Sequence, residues 1–299
     1  MALDGWDNAE TIGNVMADKR GFYSESSLAV YALSPSGPAA AIPDVIGRTD
    51  EFGVAHGPEV VLQKEKGAPI VIVGSVVPEP TAAMIWLADS GIEDVGDLEG
   101  KTIAIPGLFF QKAFLKRILE DAGLTMDDVK VKSVENNLVP ALVEGKADAI
   151  FGGSGNLEGA ELESHGLKPV VTPVGDLGIP AYEELVLVAR TDRAVADRQR
   201  MCAVVSAIAH GVRVASQDPS AAVEALKTSG ESNPEISRSS TKAQVDATIP
   251  LLSDSGYANP IRVERLADWM YEEGMIKREP PLATLIANPK GGESKAAGS

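Results

Sequence analysis

The sequence predicts an α/β protein made of two doubly wound lobes, and three observations carry that prediction. Short apolar runs alternate with amphipathic segments as far as Arg190, the pattern of strands and helices stacked in layers. Residues 70–77 form an apolar run of the kind buried on both faces of a sheet. The stretch Gly152-Gly153-Ser154-Gly155-Asn156-Leu157-Glu158-Gly159 lies between an apolar strand pattern at 149–151 and a helical turn at 160–163. Strand-to-helix junctions of open α/β sheets are where ligands bind, and glycines let the backbone turn sharply and approach a ligand closely. Asn156 and Glu158 would supply an amide and a carboxylate there. Taken alone, the motif also reads as a connecting loop with Asn156 as a helix N-cap.

The elements follow in order. Residues 2–7 read as a first strand, and 11–20 as a helix with Ile12, Val15 and Met16 on one face and Gly21 as its stop. A second strand is expected at 28–33, a turn at 35–38 and a third strand at 51–55. His56-Gly57-Pro58 opens a helix over 59–66, with proline in its first turn. The second set has strands at 83–87, 101–105, 129–134, 149–151, 169–174 and 185–188, and helices at 110–122 and 138–144. From Asp192 onward the pattern is helical only, over 193–216, 219–228, 242–252 and 263–273. These helices are expected to return and pack around the first lobe. Residues 288–299, rich in Gly, Ser and Lys, read as a disordered tail.

Composition narrows the function. The 299 residues allow one large or two ordinary domains, and a 44% hydrophobic content is ample for a core. A formal charge of −16 argues against nucleic acid and anionic lipid as partners. A small anion stays possible where a helix N-terminus outweighs distant charge. The single cysteine, Cys202, lies in an apolar helical run and reads as a buried thiol rather than a nucleophile. The three histidines, His56, His165 and His210, are far apart, so no metal site is expected. No run is long enough to span a bilayer. The first residues, Met1-Ala2-Leu3-Asp4-Gly5, carry no secretory pattern, which fits a cytoplasmic protein or one whose export signal has been removed.

Several motifs resemble a known group. Leu98-Glu99-Gly100-Lys101-Thr102-Ile103-Ala104 resembles the D-L-x-G-K-x-I turn of type II periplasmic binding proteins of the nitrate/sulfonate/taurine and thiamine-precursor group. Ala141-Leu142-Val143-Glu144-Gly145-Lys146-Ala147-Asp148-Ala149 resembles their A-L-x-x-G-x-x-D-A, and 13–22 their helix ending in a G-F/Y-F/Y step. More narrowly, 153–159 resembles the G-x-x-N-x-E of the NMT1/THI5-like branch, and Gly178-Ile179-Pro180-Ala181-Tyr182-Glu183-Glu184-Leu185 its G-V-P-x-Y-x-E-L. Asp4-Gly5-Trp6-Asp7-Asn8-Ala9-Glu10 is similar, in altered spacing, to the branch's D-W-x-P-N-x-x-H, with Glu10 in the histidine's place. Ser154 stands where the branch often has an aromatic, which leaves one stacking wall open and the pocket roomier. The resemblance implies a type II periplasmic-binding-protein fold: two lobes joined by two crossover strands around a ligand cleft. It assigns residues 1–84 plus 185–287 to lobe I and 85–184 to lobe II.

The resemblance further implies the solute-binding component of an ABC importer, in the periplasm or outside the cell, free or anchored. Its partners would be permease subunits in the membrane and a small heteroaromatic ligand. A thiamine pyrimidine precursor of hydroxymethylpyrimidine or formylaminopyrimidine type comes first, riboflavin or another flat heterocycle second, and a sulfonate or nitrate third. A monomer without cofactor is expected. The branch also includes a pyrimidine-synthesis enzyme, but that enzyme's cysteine-rich segment is absent here. An aminopyrimidine needs an apolar face and in-plane hydrogen-bond partners. Glu158 would accept from its amine, Asn156 would meet a ring nitrogen, and Trp6 or Tyr182 would stack on the ring. Asn8, His56, Gly57, Phe109 and Ser154 complete the expected ligand-binding set. Against these stand plainer readings: a core Trp, a strand-end Tyr, a polar rim His, and one of Phe109 and Phe110 in the core.

Overall fold

The computed structural model describes residues 1–2, 8–31, 40–135, 137–229 and 241–288. The order is α1 (Ile12–Lys19), α2 (Phe22–Glu25), α3 (Ala41–Gly47), β1 (Phe52–His56), α4 (Gly57–Glu65), β2 (Ile70–Val77), β3 (Ala82–Leu87), β4 (Thr102–Ile105) and α5 (Phe109–Asp121). There follow β5 (Lys130–Ser133), α6 (Leu138–Val143), β6 (Ala149–Ser154), α7 (Ala160–Ser164), β7 (Pro169–Pro173) and β8 (Leu185–Arg190). The last helices are α8 (Thr191–Ala196), α9 (Arg198–Gln217), α10 (Pro219–Ser229), α11 (Thr241–Thr248), α12 (Pro260–Glu272) and α13 (Leu282–Leu285).

The strands form two sheets, in the orders β1-β8-β2 and β5-β4-β6-β3-β7. In the first, β8 runs antiparallel to both neighbours. In the second, β4 is parallel to β5 and β6, whereas β3 is antiparallel to β6 and β7. The sheets are therefore mixed rather than wholly parallel. The strands that run against their neighbours, β3 and β8, are those that the two crossovers deliver. The expected division at Met84 falls inside β3, which pairs along its length in the second sheet. The chain passes from the first sheet to the second over 78–81 and reaches β8 again through 178–184.

Helix α9 shows why a long apolar stripe packs. Met201, Val204, Val205, Ile208, Val212 and Ala215 recur at helical spacing and are buried. Helix α1 crosses it where Gly13 meets Gly211: a Cβ on Gly211 would lie 2.0 Å from the Gly13 carbonyl oxygen and 3.0 Å from the Ala17 nitrogen. Backbone sits against backbone, so nothing flexible can yield. Gly211→Ala should therefore cost about 2 kcal/mol, read as a lowered denaturant midpoint.

Two expectations need correction, and a third falls mostly outside the described residues. Residues 28–31 are not a strand, because Leu28 N bonds back to Tyr23 O and closes the end of α2; 32–33 lie outside the described residues, as does the turn at 35–38. The helix expected over 193–216 divides at Asp197, whose side chain accepts from Arg200 N and starts α9 afresh. The strand expected at 2–7 is described only at Ala2, which bridges Gly53 in parallel. Beyond Asn288 the expected tail lies outside the described residues. No helix among the described residues is long and apolar enough to cross a membrane.

Candidate functional site

The two crossovers bring Tyr182, Glu183 and Glu184 beside Thr81 and Ala82. Extended chain sends neighbouring side chains to opposite faces, and the two glutamates divide accordingly. Glu183 faces the first sheet, where Ser75 Oγ and Asn259 N, at 2.8 Å, donate to it. Glu184 turns into the junction between the sheets, 2% exposed. Its Oε2 accepts from Tyr182 Oη at 3.0 Å, Thr81 N at 3.0 Å and Ala82 N at 3.2 Å, and its Oε1 lies 2.9 Å from His56 Nδ1. Burial pushes this carboxyl upward, but His56 and the two amides outweigh it and hold Glu184 below the usual carboxylate range. Glu184 thus ties one crossover to the other and both to the end of β1.

A second carboxyl arrives from the N-terminal side. Asn8 caps the turn at 9–11: its Oδ1 accepts from Glu10 N at 2.8 Å, while Thr11 Oγ1 accepts from Asn8 N at 3.1 Å. That turn aims Glu10 inward, 6% exposed. Its Oε1 accepts from Thr81 Oγ1 and from Asn156 Nδ2, each at 3.1 Å. Burial pushes the Glu10 carboxyl up to about 7. The Asn156 bond opposes this, the Glu184 charge adds to it, His56 opposes and Glu158 adds.

The third group is the glycine-rich junction. After β6, residues 155–159 form a single wide π-helical turn before α7, a form frequent at functional sites. Asn156, 6% exposed, donates both amide hydrogens, to Glu10 and, at 2.9 Å, to Thr248 Oγ1 at the end of α11. Glu158 folds back so that its Oε2 accepts from Ser154 N at 2.7 Å and Ser154 Oγ at 3.3 Å. Burial raises its pKa and the Ser154 amide opposes the rise. Gln244 Nε2 also reaches Leu157 O. Contacts from Glu10, Thr248 and Gln244 thus meet the second sheet's junction directly.

The structure brings His56, Ser154, Asn156 and Glu158 together, and it reassigns others. Asn8 spends its side chain on the cap that orients Glu10. Gly57 is required by close approach: a Cβ there would sit 2.2 Å from Glu183 O. Phe109 is 67% exposed, with Lys66 over its ring. Its neighbour Phe110, on the inner face of α5 with Phe114, meets His56 instead. Tyr182 is fully buried, edge-on to Phe114, and presents its hydroxyl rather than a stacking face. Trp6 lies outside the described residues. Glu10, Thr81, Glu184 and Thr248 complete the cluster. Glu184 was marked in the sequence by the terminal glutamate of the Y-x-E-L resemblance; Thr248 had no local signal.

Chemically this is a site of acceptors. Among the described residues, no lysine or arginine pairs with Glu10, Glu158 or Glu184. No set of three His, Cys, Asp or Glu side chains among them converges as a metal site. Arginines gather elsewhere: a pocket of about 350 Å3 lined by Arg48, Arg190, Arg193 and Arg200 lies at the opposite end of β8. There Arg48 and Arg190 pair with Asp192, and Arg200 with Asp197 and Glu51.

Two crossovers, two mixed sheets and a polar cluster between them define a periplasmic-binding-protein fold. The aliphatic sulphonate binding protein SsuA of Escherichia coli shares it, with a TM-score of 0.74 at 16% identity over 100% of this chain and 95% of that one. Within that class the chain belongs to the NMT1/THI5 like family, whose model matches residues 8–222. It is 28% identical to a formylaminopyrimidine-binding protein of Halalkalibacterium halodurans, over 76% of this chain and 68% of that one. It is 26% identical to a Haemophilus influenzae protein assigned provisionally to thiamine biosynthesis, over 92% and 87%. A 4-amino-5-hydroxymethyl-2-methylpyrimidine phosphate synthase of Legionella pneumophila is 31% identical, over 54% and 51%.

Proposed function

We propose that this protein is the solute-binding component of an ABC importer and captures a thiamine pyrimidine precursor of hydroxymethylpyrimidine or formylaminopyrimidine type. Capture works by hinge closure of the lobes, in the periplasm or outside the cell, and the closed form is presented to a membrane permease. The observation that carries this reading is the acceptor-rich junction of Glu10, Asn156, Glu158 and Glu184. Buried acceptors with no lysine or arginine paired to them among the described residues favour a ligand rich in N–H groups and disfavour an oxyanion. The formylaminopyrimidine-binding relative supports the same ligand class. The test is mass spectrometry of small molecules released when the purified protein is denatured: an aminopyrimidine is expected, and a sulfonate or a flavin would contradict the reading.

Glu158→Gln should weaken binding of 4-amino-5-hydroxymethyl-2-methylpyrimidine roughly tenfold, through loss of a charge-assisted acceptor, with the fold intact. Calorimetric titration checks this, and unchanged affinity would remove Glu158 from the site.

A second reading, a pyrimidine-synthesis enzyme on this fold, draws on the partial match to the synthase. A pyridoxal Schiff base requires a lysine in the cleft. Lys146 instead is exposed and paired with Glu144, and Lys101 follows a surface turn closed by Lys101 N to Leu98 O. A pyridoxal absorption band in the purified protein would favour this second reading over the first.

A further inference from the structure

Each of two buried side chains at the junction leaves one oxygen without a partner among the described residues. Glu10 accepts two hydrogen bonds on Oε1 and none on Oε2 among the described residues. Asn156 gives both amide hydrogens away, while its Oδ1 accepts nothing there. Both residues are 6% exposed, yet neither oxygen is sealed from solvent. The two side chains are locked to each other by the bond from Asn156 Nδ2 to Glu10 Oε1 at 3.1 Å. The remaining oxygens thus belong to side chains that this bond ties together, one from the turn at 9–11 and one from the glycine-rich junction. An acceptor unpaired within the protein and still reachable can take a donor from a ligand.

We propose that Glu10 and Asn156 form a specificity pair that reads an amidine-type edge, a ring nitrogen beside an exocyclic amine. This rests on the reading of the site as a pyrimidine-binding cleft and adds the residues that select the ring. The amine donates to Asn156 Oδ1. The ring nitrogen and Glu10 Oε2 share one proton, which sits on the carboxyl or on the ring; either way the pair carries no net charge. When Glu10 is ionised before binding, that proton is taken from solvent. A 4-oxo analogue places a ring N–H and a carbonyl where the aminopyrimidine has an acceptor and a donor, so its carbonyl would face Asn156 Oδ1 and be rejected. The titratable groups acting on Glu10 among the described residues are Glu184, Glu158 and His56. Asn156, Thr81 and Thr248 around it are neutral. Because Glu10 titrates near pH 7, uptake of the proton grows as the pH rises above that value.

The experiment is isothermal titration of the full chain with 4-amino-5-hydroxymethyl-2-methylpyrimidine and its 4-oxo analogue, from pH 5.5 to 9, in buffers of different ionisation enthalpy. The wild type should bind the amine form at least roughly tenfold tighter than the oxo form. Above pH 7 it should take up close to one proton and lose up to roughly tenfold in affinity per pH unit. Glu10→Gln should flatten that pH dependence and abolish the uptake. An aminopyrimidine bound by the wild type with no proton uptake, or with the same uptake in Glu10→Gln, overturns the Glu10 assignment alone. No binding of either pyrimidine by the wild type overturns the pyrimidine reading and this inference with it. The proton count on the wild type needs no variant, so an unstable Glu10→Gln would not leave the question open.

Discussion

Glu184→Ala is expected to lower the free energy of unfolding by about 4 kcal/mol, since removing one member of a buried charged network leaves its partners unpaired. The partners here are Tyr182 Oη, the Thr81 and Ala82 amides and His56 Nδ1. Two of them are backbone groups that cannot turn away, and each stranded donor carries its own desolvation cost. Glu184→Gln keeps one acceptor oxygen and should lose about half as much. The effect depends on pH with a definite sign. Glu184 titrates below its ordinary 4.5 in the folded protein, so its contribution is present above that value and is lost as the pH falls through the folded pKa. Urea midpoints at pH 7 and pH 3.5 should show the gap between wild type and Glu184→Ala narrowing in acid. A loss under about 1 kcal/mol at neutral pH would show that the crossovers do not depend on this carboxyl.

Glu10 behaves in the opposite sense. Its folded pKa of about 7 against an ordinary 4.5 means that the folded state holds the proton more tightly than the unfolded chain. The stability this supplies is fully present below about 4.5 and is lost as the pH rises through about 7. At about 1.4 kcal/mol per pKa unit, the change approaches about 3 kcal/mol; Glu10 is 6% exposed, so solvent screens little of it. Glu10→Gln keeps an oxygen for Thr81 and Asn156 but carries no charge. It should therefore be more stable than the wild type at pH 8.5, by up to about 3 kcal/mol, and nearly equal to it at pH 4. An equal difference at both pH values would mean that Glu10 is not held neutral by its surroundings. A natural residue that weakens the empty protein at neutral pH fits a group kept for binding rather than for folding.

These two residues also show how far the sequence can be read. Apolar periodicity located the strands at 52–56, 70–77, 102–105 and 185–190 because their burial is continuous, and helix α5 because its apolar stripe ends at Gly123. The strand expected at 28–33 failed because Leu28 and Val30 are apolar for packing beside the first sheet, and apolar character alone does not distinguish a strand from a loop laid on a core. The glycine-rich junction drew attention to Asn156 and Glu158, since glycines mark places where backbone must turn or come close, and the structure places both side chains beside Glu10 and Ser154. Glu10 was harder to see. An acid in the first turn after an Asn cap is ordinary helix chemistry, and only the tertiary arrangement shows it turned inward onto Thr81 and Asn156. Tyr182 reads either as a stacking wall or as a strand-end residue, and the structure packs its ring against Phe114 with its hydroxyl on Glu184. The antiparallel course of β3 and β8 was likewise illegible, because alternation of strand and helix does not record the direction in which a crossover enters a sheet.

The ligand expected for this site is a donor-rich, uncharged or cationic heterocycle rather than an oxyanion, although the fold is shared with a sulphonate-binding protein. The most direct measurement is a thermal-shift titration of the purified protein at pH 6.5, first with 4-amino-5-hydroxymethyl-2-methylpyrimidine and then with an alkanesulfonate. A ligand that binds only the folded state must raise the midpoint, by about 3 kcal/mol of stabilisation at one hundred times its dissociation constant. A concentration-dependent rise is expected with the aminopyrimidine and none with the sulfonate. A rise with the sulfonate and none with the aminopyrimidine would contradict it.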